Sequence, residues 1–170
     1  MKRILITGVN SYVGNNLKRW LEQWPNDYDI KRISLRDGQW KDTSFSGFDS
    51  IVHVAGIAHV STDPKMEELY YKVNRDLTIE VATKAKNEGV NQFIFLSSII
   101  VYGDRPTKNG IIDEHTKPQP TNFYGMSKLQ AEEGINSLNS DDFKVVNIRP
   151  PMIYGKNSKG NYPRLYSFAR

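Results

Sequence analysis

Three short segments of this 170-residue chain combine residue types that can do chemistry. The first is Tyr124-Gly125-Met126-Ser127-Lys128. On a helix, positions i and i+4 share a face, so Lys128 can lie beside the Tyr124 hydroxyl. An ammonium near a phenol favours the phenolate and draws its pKa down from about 10. That predicts a general base usable near neutral pH. The second segment is Ser97-Ser98-Ile99-Ile100-Val101-Tyr102-Gly103, where an apolar run ends. A serine hydroxyl there can hydrogen-bond a reacting oxygen, because ligands of open α/β sheets sit beyond the carboxyl ends of the strands. The third is Gly8-Val9-Asn10-Ser11-Tyr12-Val13-Gly14. A helix N-terminus there would offer unpaired N–H groups and a partial positive charge, suited to a pyrophosphate. Each segment also has a plain structural reading: a half-buried tyrosine beside a solvated lysine, a serine satisfying strand-end backbone, a tight turn.

The elements that must position these residues are legible in the hydrophobic pattern. Apolar runs at 3–7, 29–35, 50–55, 93–96 and 143–148 read as five strands. Helical spacing predicts helices over about 12–23, over 64–88 opened by Pro64, and over 123–138. Pro25-Asn26-Asp27 and Gly89 are stops, and 103–120, with two glycines and three prolines, reads as loop. Strands alternating with helices, each strand a near-continuous apolar run, predict an α/β doubly wound parallel sheet of Rossmann-like type with helices on both faces. The expected strand order is 3-2-1-4-5. Between Arg36 and Ser50 only about a dozen residues are available, near the lower limit for a parallel crossover, so little regular helix is expected there.

Composition narrows the classes. At roughly 150 residues per domain the chain is about one domain. It has no cysteine, which excludes disulfides, Cys-ligated zinc, iron–sulfur clusters and a thiolate nucleophile. No apolar run approaches the ~20 residues of a membrane helix, and the N-terminus lacks a signal-peptide pattern. A cytoplasmic protein is expected. Net charge is +4. From Phe143 onward stand Lys144, Arg149, Lys156, Lys159, Arg164 and Arg170 with no acid. Such a tail suits a phosphate-bearing small molecule, a nucleic acid or only water. Tyr162, Tyr166 and Phe168 beside Arg164 also suit an amphipathic helix, so no nucleic-acid partner is expected. His53, His59 and His115 do not form a metal-ligand set, and no metal is expected.

In this order and on these elements, the motifs together resemble the extended short-chain dehydrogenase/reductase family, the nucleotide-sugar epimerases, dehydratases and reductases. The matching text is Thr7-Gly8 with Ser11 and Gly14, His53-Val54-Ala55-Gly56, Val73-Asn74, Ser97-Ser98 with Val101-Tyr102-Gly103, Tyr124-Gly125 with Ser127-Lys128, and Arg149-Pro150-Pro151 with Ile153-Tyr154-Gly155. The resemblance spans about residues 2–165. It implies Ser98, Tyr124 and Lys128 as a catalytic triad. It implies Gly8, Ser11, Tyr12, Val13 and Gly14 as the pyrophosphate loop, Ala55 and Gly56 on the adenosine side, Asn74 on a cofactor-side helix, and Pro150 beside the nicotinamide. Tyr124 and Lys128 would also touch the cofactor. Ser98, Tyr124 and Asn161 would touch the substrate.

Three departures qualify that picture. Ser11 replaces the usual middle glycine. Strand two ends in Ser34-Leu35-Arg36-Asp37, without the acid that typically binds the adenosine ribose. Arg36 could meet a 2′-phosphate, which mildly favours NADP, while Asp37 keeps NAD open. The family also runs far longer than this chain. The organisation expected is therefore a dinucleotide-binding domain over 1–155 and the start of a truncated substrate-binding region over 156–170. The resemblance implies a nucleotide-sugar 4-epimerase working through a 4-keto intermediate with NAD or NADP. The alternatives are an NADPH-dependent reductase of a 4-keto nucleotide sugar and a non-catalytic dinucleotide-binding module. A 4,6-dehydratase fits less well, because Ile99 and Ile100 follow Ser98 and neither moves a proton. The family often forms homodimers through helices equivalent to those after Pro64 and bearing Tyr124. No sequence feature demands it here.

Overall fold

The computed structural model describes residues 1–57, 63–104 and 110–158. Within them the chain builds a five-stranded, wholly parallel sheet from β1 (Lys2–Thr7), β2 (Tyr28–Ile33), β3 (Ser50–His53), β4 (Gln92–Leu96) and β5 (Lys144–Ile148). Helices α1 (Tyr12–Leu21), α2 (Glu67–Tyr70), α3 (Leu77–Asn87) and α4 (Phe123–Asn136) cover it. Leu5, Ile51, Phe93 and Phe95 point to one face and pack with Val81, Ala82, Ala85, Ala131 and Ile135. On the opposite face α1 seats Gly14 against Ile6 and Val54. Val146 and Ile148 share that second face by register and remain 38% and 45% exposed.

The strand order is β2-β1-β3-β4-β5, not the expected 3-2-1-4-5. A central strand needs apolar residues on both faces, and Ile51, Val52 and His53 of β3 are all buried. β2 instead exposes Lys31 and Arg32, which suits an edge. Residues between them hold only a three-residue 3₁₀ turn, Gln39–Lys41, as the short connection predicts. Trp40 and Phe45 stack there, with ring centroids 6.3 Å apart, and fill the space a crossover helix would take. The chain thus reverses direction across the sheet between β1 and β3. In open α/β sheets such a switch point, beyond the carboxyl ends of the strands, is where ligands bind.

The stretch expected as one helix from Pro64 is interrupted. Asp63 caps it, a 3₁₀ turn runs over Pro64–Met66, and between α2 and α3 the backbone widens to a π turn over Tyr71–Asp76. A π turn inserts an extra residue, and such turns recur at functional sites. Here it directs Asn74, fully buried, at the loop that follows β3. No helix among the described residues is long and apolar enough to cross a membrane.

Candidate active site

The glycine-rich turn lies between the carboxyl end of β1 and the start of α1. Gly8 adopts φ +81°, and its amide donates to Ile33 O at 3.0 Å, tying the turn to β2. A Cβ on Gly8 would stand 3.2 Å from the Ala55 backbone, so this left-handed glycine lets the turns after β1 and β3 approach each other. Ser11, in place of the middle glycine, is the N-cap of α1, and its Oγ accepts from Gly14 N at 3.2 Å. The serine therefore serves the helix end, while the first-turn amides of Tyr12 and Val13 keep facing outward from it. The Tyr12 hydroxyl lies against Gly155 of the segment after β5. Arg36 is exposed just beyond the carboxyl end of β2. Asp37 accepts from Gln39 N at 3.2 Å and is engaged in its own turn.

Ser98, Tyr124 and Lys128 converge at the same sheet end. Ser98 leaves β4 and caps a 3₁₀ turn over Ile99–Tyr102. Its hydroxyl neighbours the Tyr124 phenol and draws that phenol's pKa down. Tyr124 is buried in the first turn of α4, with the Tyr70 ring 5.9 Å away. Asn122 starts α4 by accepting from Gly125 N at 2.9 Å. Gly125 lets the helix rest on the Ser98 turn, since a Cβ would stand 2.8 Å from Ile100 O. One turn on, Lys128 is 4% exposed. Its ammonium donates to Leu96 O at 3.0 Å and lies 4.6 Å from the Phe95 ring centroid.

The expected lowering of the phenol is corrected by this geometry. Burial pushes the Tyr124 hydroxyl above its ordinary value, and the Ser98 hydroxyl pulls it down only in part. The Lys128 charge is directed at Leu96 O and Phe95. Lys128 itself is held down to about 8, because burial disfavours its charge more than the Glu132 carboxylate supports it.

Asn74 lies beside the site, but its amide is occupied. It accepts from Ile57 N at 2.8 Å and donates to Ile57 O at 3.1 Å and to Ser127 Oγ at 3.2 Å. It thereby holds the turn containing Gly56 against α4. A Cβ on Gly56 would stand 2.9 Å from Asn74 Oδ1 and 3.2 Å from Lys128 Nζ, so only hydrogen fits there without a shift. Pro150 is half-buried after β5, and its carbonyl accepts from Ile99 N at 3.1 Å. It braces the Ser98 turn. Asn161 and His59 lie outside the described residues. His115, Asp113 and Glu114 are exposed together in the loop between the Ser98 turn and α4.

Two buried polar groups have partners that the residue patterns did not reveal. His53, at the end of β3, bridges Thr7 Oγ1 at 3.0 Å and Thr78 Oγ1 at 3.1 Å, while Thr78 donates to Asn74 O at 2.7 Å. Burial, and secondarily the Lys128 charge, holds its imidazole neutral with a pKa of about 3. The second is Glu132, paired with Arg149, whose other arm reaches Tyr102. The one signal for it was the i+4 spacing of Glu132 from Lys128.

The cleft suits a dinucleotide. A helix N-terminus opens onto it, close-set glycines leave room for backbone approach, and the buried Ser97 Oγ at the end of β4 has no hydrogen-bond partner. Comparison with known proteins agrees. The chain is 34% identical to a UDP-glucose 4-epimerase of Vibrio cholerae, over 96% of this chain and 56% of the relative. It is 32% identical to the N-acetyl-alpha-D-glucosaminyl-diphospho-ditrans,octacis-undecaprenol 4-epimerase of Escherichia coli O157:H7, over 93% and 51%. The chain thus spans about half the length of these relatives. Its fold superposes on a dTDP-4-dehydrorhamnose reductase of Bacillus anthracis in complex with NADP. The TM-score is 0.78 at 27% identity, covering 99% of this chain and 60% of that one. A family model matches residues 4–167, and the chain belongs to the NAD dependent epimerase/dehydratase family.

Proposed function

We propose that this chain is the dinucleotide-binding and proton-transfer half of a nucleotide-sugar 4-epimerase that works through a 4-keto intermediate. The observation that carries the reading is the convergence of the Ser98 turn on the first turn of α4, with Gly125 against Ile100 O and Lys128, one helical turn beyond Tyr124, on Leu96 O at the end of β4. The 4-epimerase relatives support it. NAD, when bound, supplies the hydride acceptor for the sugar C4–H. Tyr124, as its phenolate, would take the proton of the C4 hydroxyl as that hydride departs, becoming the phenol, and Ser98 would steady the reacting oxygen. Tyr124 gives the proton back when hydride returns to the other face of the ketone, which inverts C4. Lys128, with N–H groups beyond the one on Leu96 O, would hold the nicotinamide ribose. Gly8 to Gly14 would cradle the pyrophosphate.

A second reading is reduction of a ready-made 4-keto nucleotide sugar with NADPH. Two observations favour it. Arg36 stands exposed beyond β2, and burial keeps Tyr124 a phenol. A protonated phenol is what ketone reduction asks of its acid.

The test is turnover of UDP- and dTDP-sugars, with NAD and NADPH in parallel, by a polypeptide extended to the length of these relatives. Tyr124→Phe should cost 10²–10⁴-fold in rate, roughly the worth of one general acid–base group, with cofactor affinity kept. Near-parental turnover in Tyr124→Phe would overturn both readings.

A further inference from the structure

The Ser98 turn is braced on its strand side by backbone alone. Ser97 N donates to Ile148 O at 2.8 Å and Ile99 N to Pro150 O at 3.1 Å. Its far end, Tyr102, is held differently. The Tyr102 hydroxyl accepts from Arg149 Nη1 at 2.6 Å, and the guanidinium lies 5.0 Å from the ring centroid. The rest of that guanidinium grips Glu132. Nε lies 3.1 and 3.2 Å from the two carboxylate oxygens, and Nη2 lies 2.5 Å from Oε2. Glu132 is 1% exposed and sits on α4, two turns beyond Tyr124. A planar five-donor fork is the group that can join a phenol oxygen and a carboxylate in one fixed plane.

We propose that Tyr102, Arg149 and Glu132 form a positioning clamp that locks the Ser98 turn to α4 and so sets how Ser98 stands against Tyr124. The clamp connects three elements: the turn after β4, the end of β5 and α4. The first and last of these carry the two hydroxyls that must meet. Without it, the turn keeps its strand-side bonds and the contact with Gly125, but its far end is free to rotate Ser98 away from Tyr124. Glu132 and Arg149 touch neither hydroxyl, so they act through the turn. The proposal rests on reading Ser98 and Tyr124 as the reacting pair.

The test uses the 170-residue chain labelled with ¹³C at tyrosine Cζ and titrated by NMR, with Tyr124 assigned through Tyr124→Phe. The groups facing the phenol are Ser98, Tyr70 from α2 and, one turn along α4, Lys128. The Ser98 hydroxyl pulls the phenol toward phenolate, so Ser98→Ala should raise the Tyr124 titration. Tyr102→Phe, which removes one oxygen and keeps the ring, should raise it in the same direction. In a Ser98→Ala background Tyr102→Phe should add nothing. Arg149→Lys keeps the charge opposite Glu132 but loses the fork, and should repeat the shift. If that variant fails to fold, Tyr102→Phe carries the test alone. An unmoved Tyr124 titration in Tyr102→Phe overturns the clamp, and so does an equal shift with and without Ser98. Turnover is not the readout, so loss of the proposed reaction and loss of the clamp would be told apart.

Discussion

At the scale of single residues, the site shows how burial outweighs a favourable spacing. Tyr124 and Lys128 stand one helical turn apart, yet the phenol rises and the ammonium falls, because each loses more hydration than its neighbours return. Glu132 is the group that supports the Lys128 charge. Glu132→Gln should therefore push the Lys128 titration below 8, a shift that ¹⁵N NMR of Nζ would record. Linkage gives a second expectation. The folded value lies below the ordinary lysine value of 10.5, so between about 8 and 10.5 the unfolded chain holds more protons. Stability contributed by the neutral amine is full above that window and is lost as pH falls through it. Urea unfolding across pH 8–10.5 should show stability rising with pH, and Lys128→Met should remove that component. Replacing Arg149 by a neutral side chain should be severe, about 3–5 kcal/mol, because it strands the buried Glu132 carboxylate without its partner.

At the scale of elements, two glycines decide how closely helices can seat. On α1, a Cβ at Gly14 would stand 3.0 Å from Val54 Cγ2 and 3.1 Å from Ile6 Cγ2. Gly14→Val places three carbons in that gap, so α1 must lift from β1 and β3. We expect a loss of about 1–3 kcal/mol from overpacking. Calorimetric titration with NAD should show weakened binding, because the helix N-terminus moves with the helix. On α4, Gly125→Ala meets Ile100 O and Pro120 Cβ, both at 2.8 Å. Backbone cannot yield as a flexible side chain can, so this variant should separate α4 from the Ser98 turn and lower the melting temperature. The π turn belongs to the same scale. Asn74 within it has partners 17 and 53 residues away, and their positions are set by the sheet.

At the scale of the whole molecule, His53 is the knot. Through Thr7 and Thr78 it joins the ends of β1 and β3 to the start of α3, directly beneath the glycine turn. Its pKa of about 3 lies below the ordinary 6.5, so the unfolded chain takes up a proton first on acidification. Stability from the neutral imidazole is full above about pH 6.5 and is lost progressively as pH falls toward 3. His53→Gln should remove roughly one proton of uptake from the acid unfolding transition, read from denaturant midpoints across that range. The parent and variant keeping the same pH slope would exclude His53 as the source.

Much of this molecule was legible before any coordinates. Strand and helix positions follow from local apolar periodicity and from stops such as Pro25 and Gly89, whose effects reach only a few residues. The Gly8–Gly14 turn and the Tyr124–Lys128 spacing are likewise local, as are the hydroxyls at the end of β4. What only the tertiary structure decided depends on contacts far apart in sequence. β3 took the centre of the sheet because its apolar residues needed cover on both faces, while β2 could leave Lys31 and Arg32 in water. The phenol moved up rather than down because desolvation is a property of the assembled interior, not of i+4 spacing. Arg149 found Glu132 and Tyr102 across 17 and 47 residues because parallel strands bring the ends of β4 and β5 together beside α4.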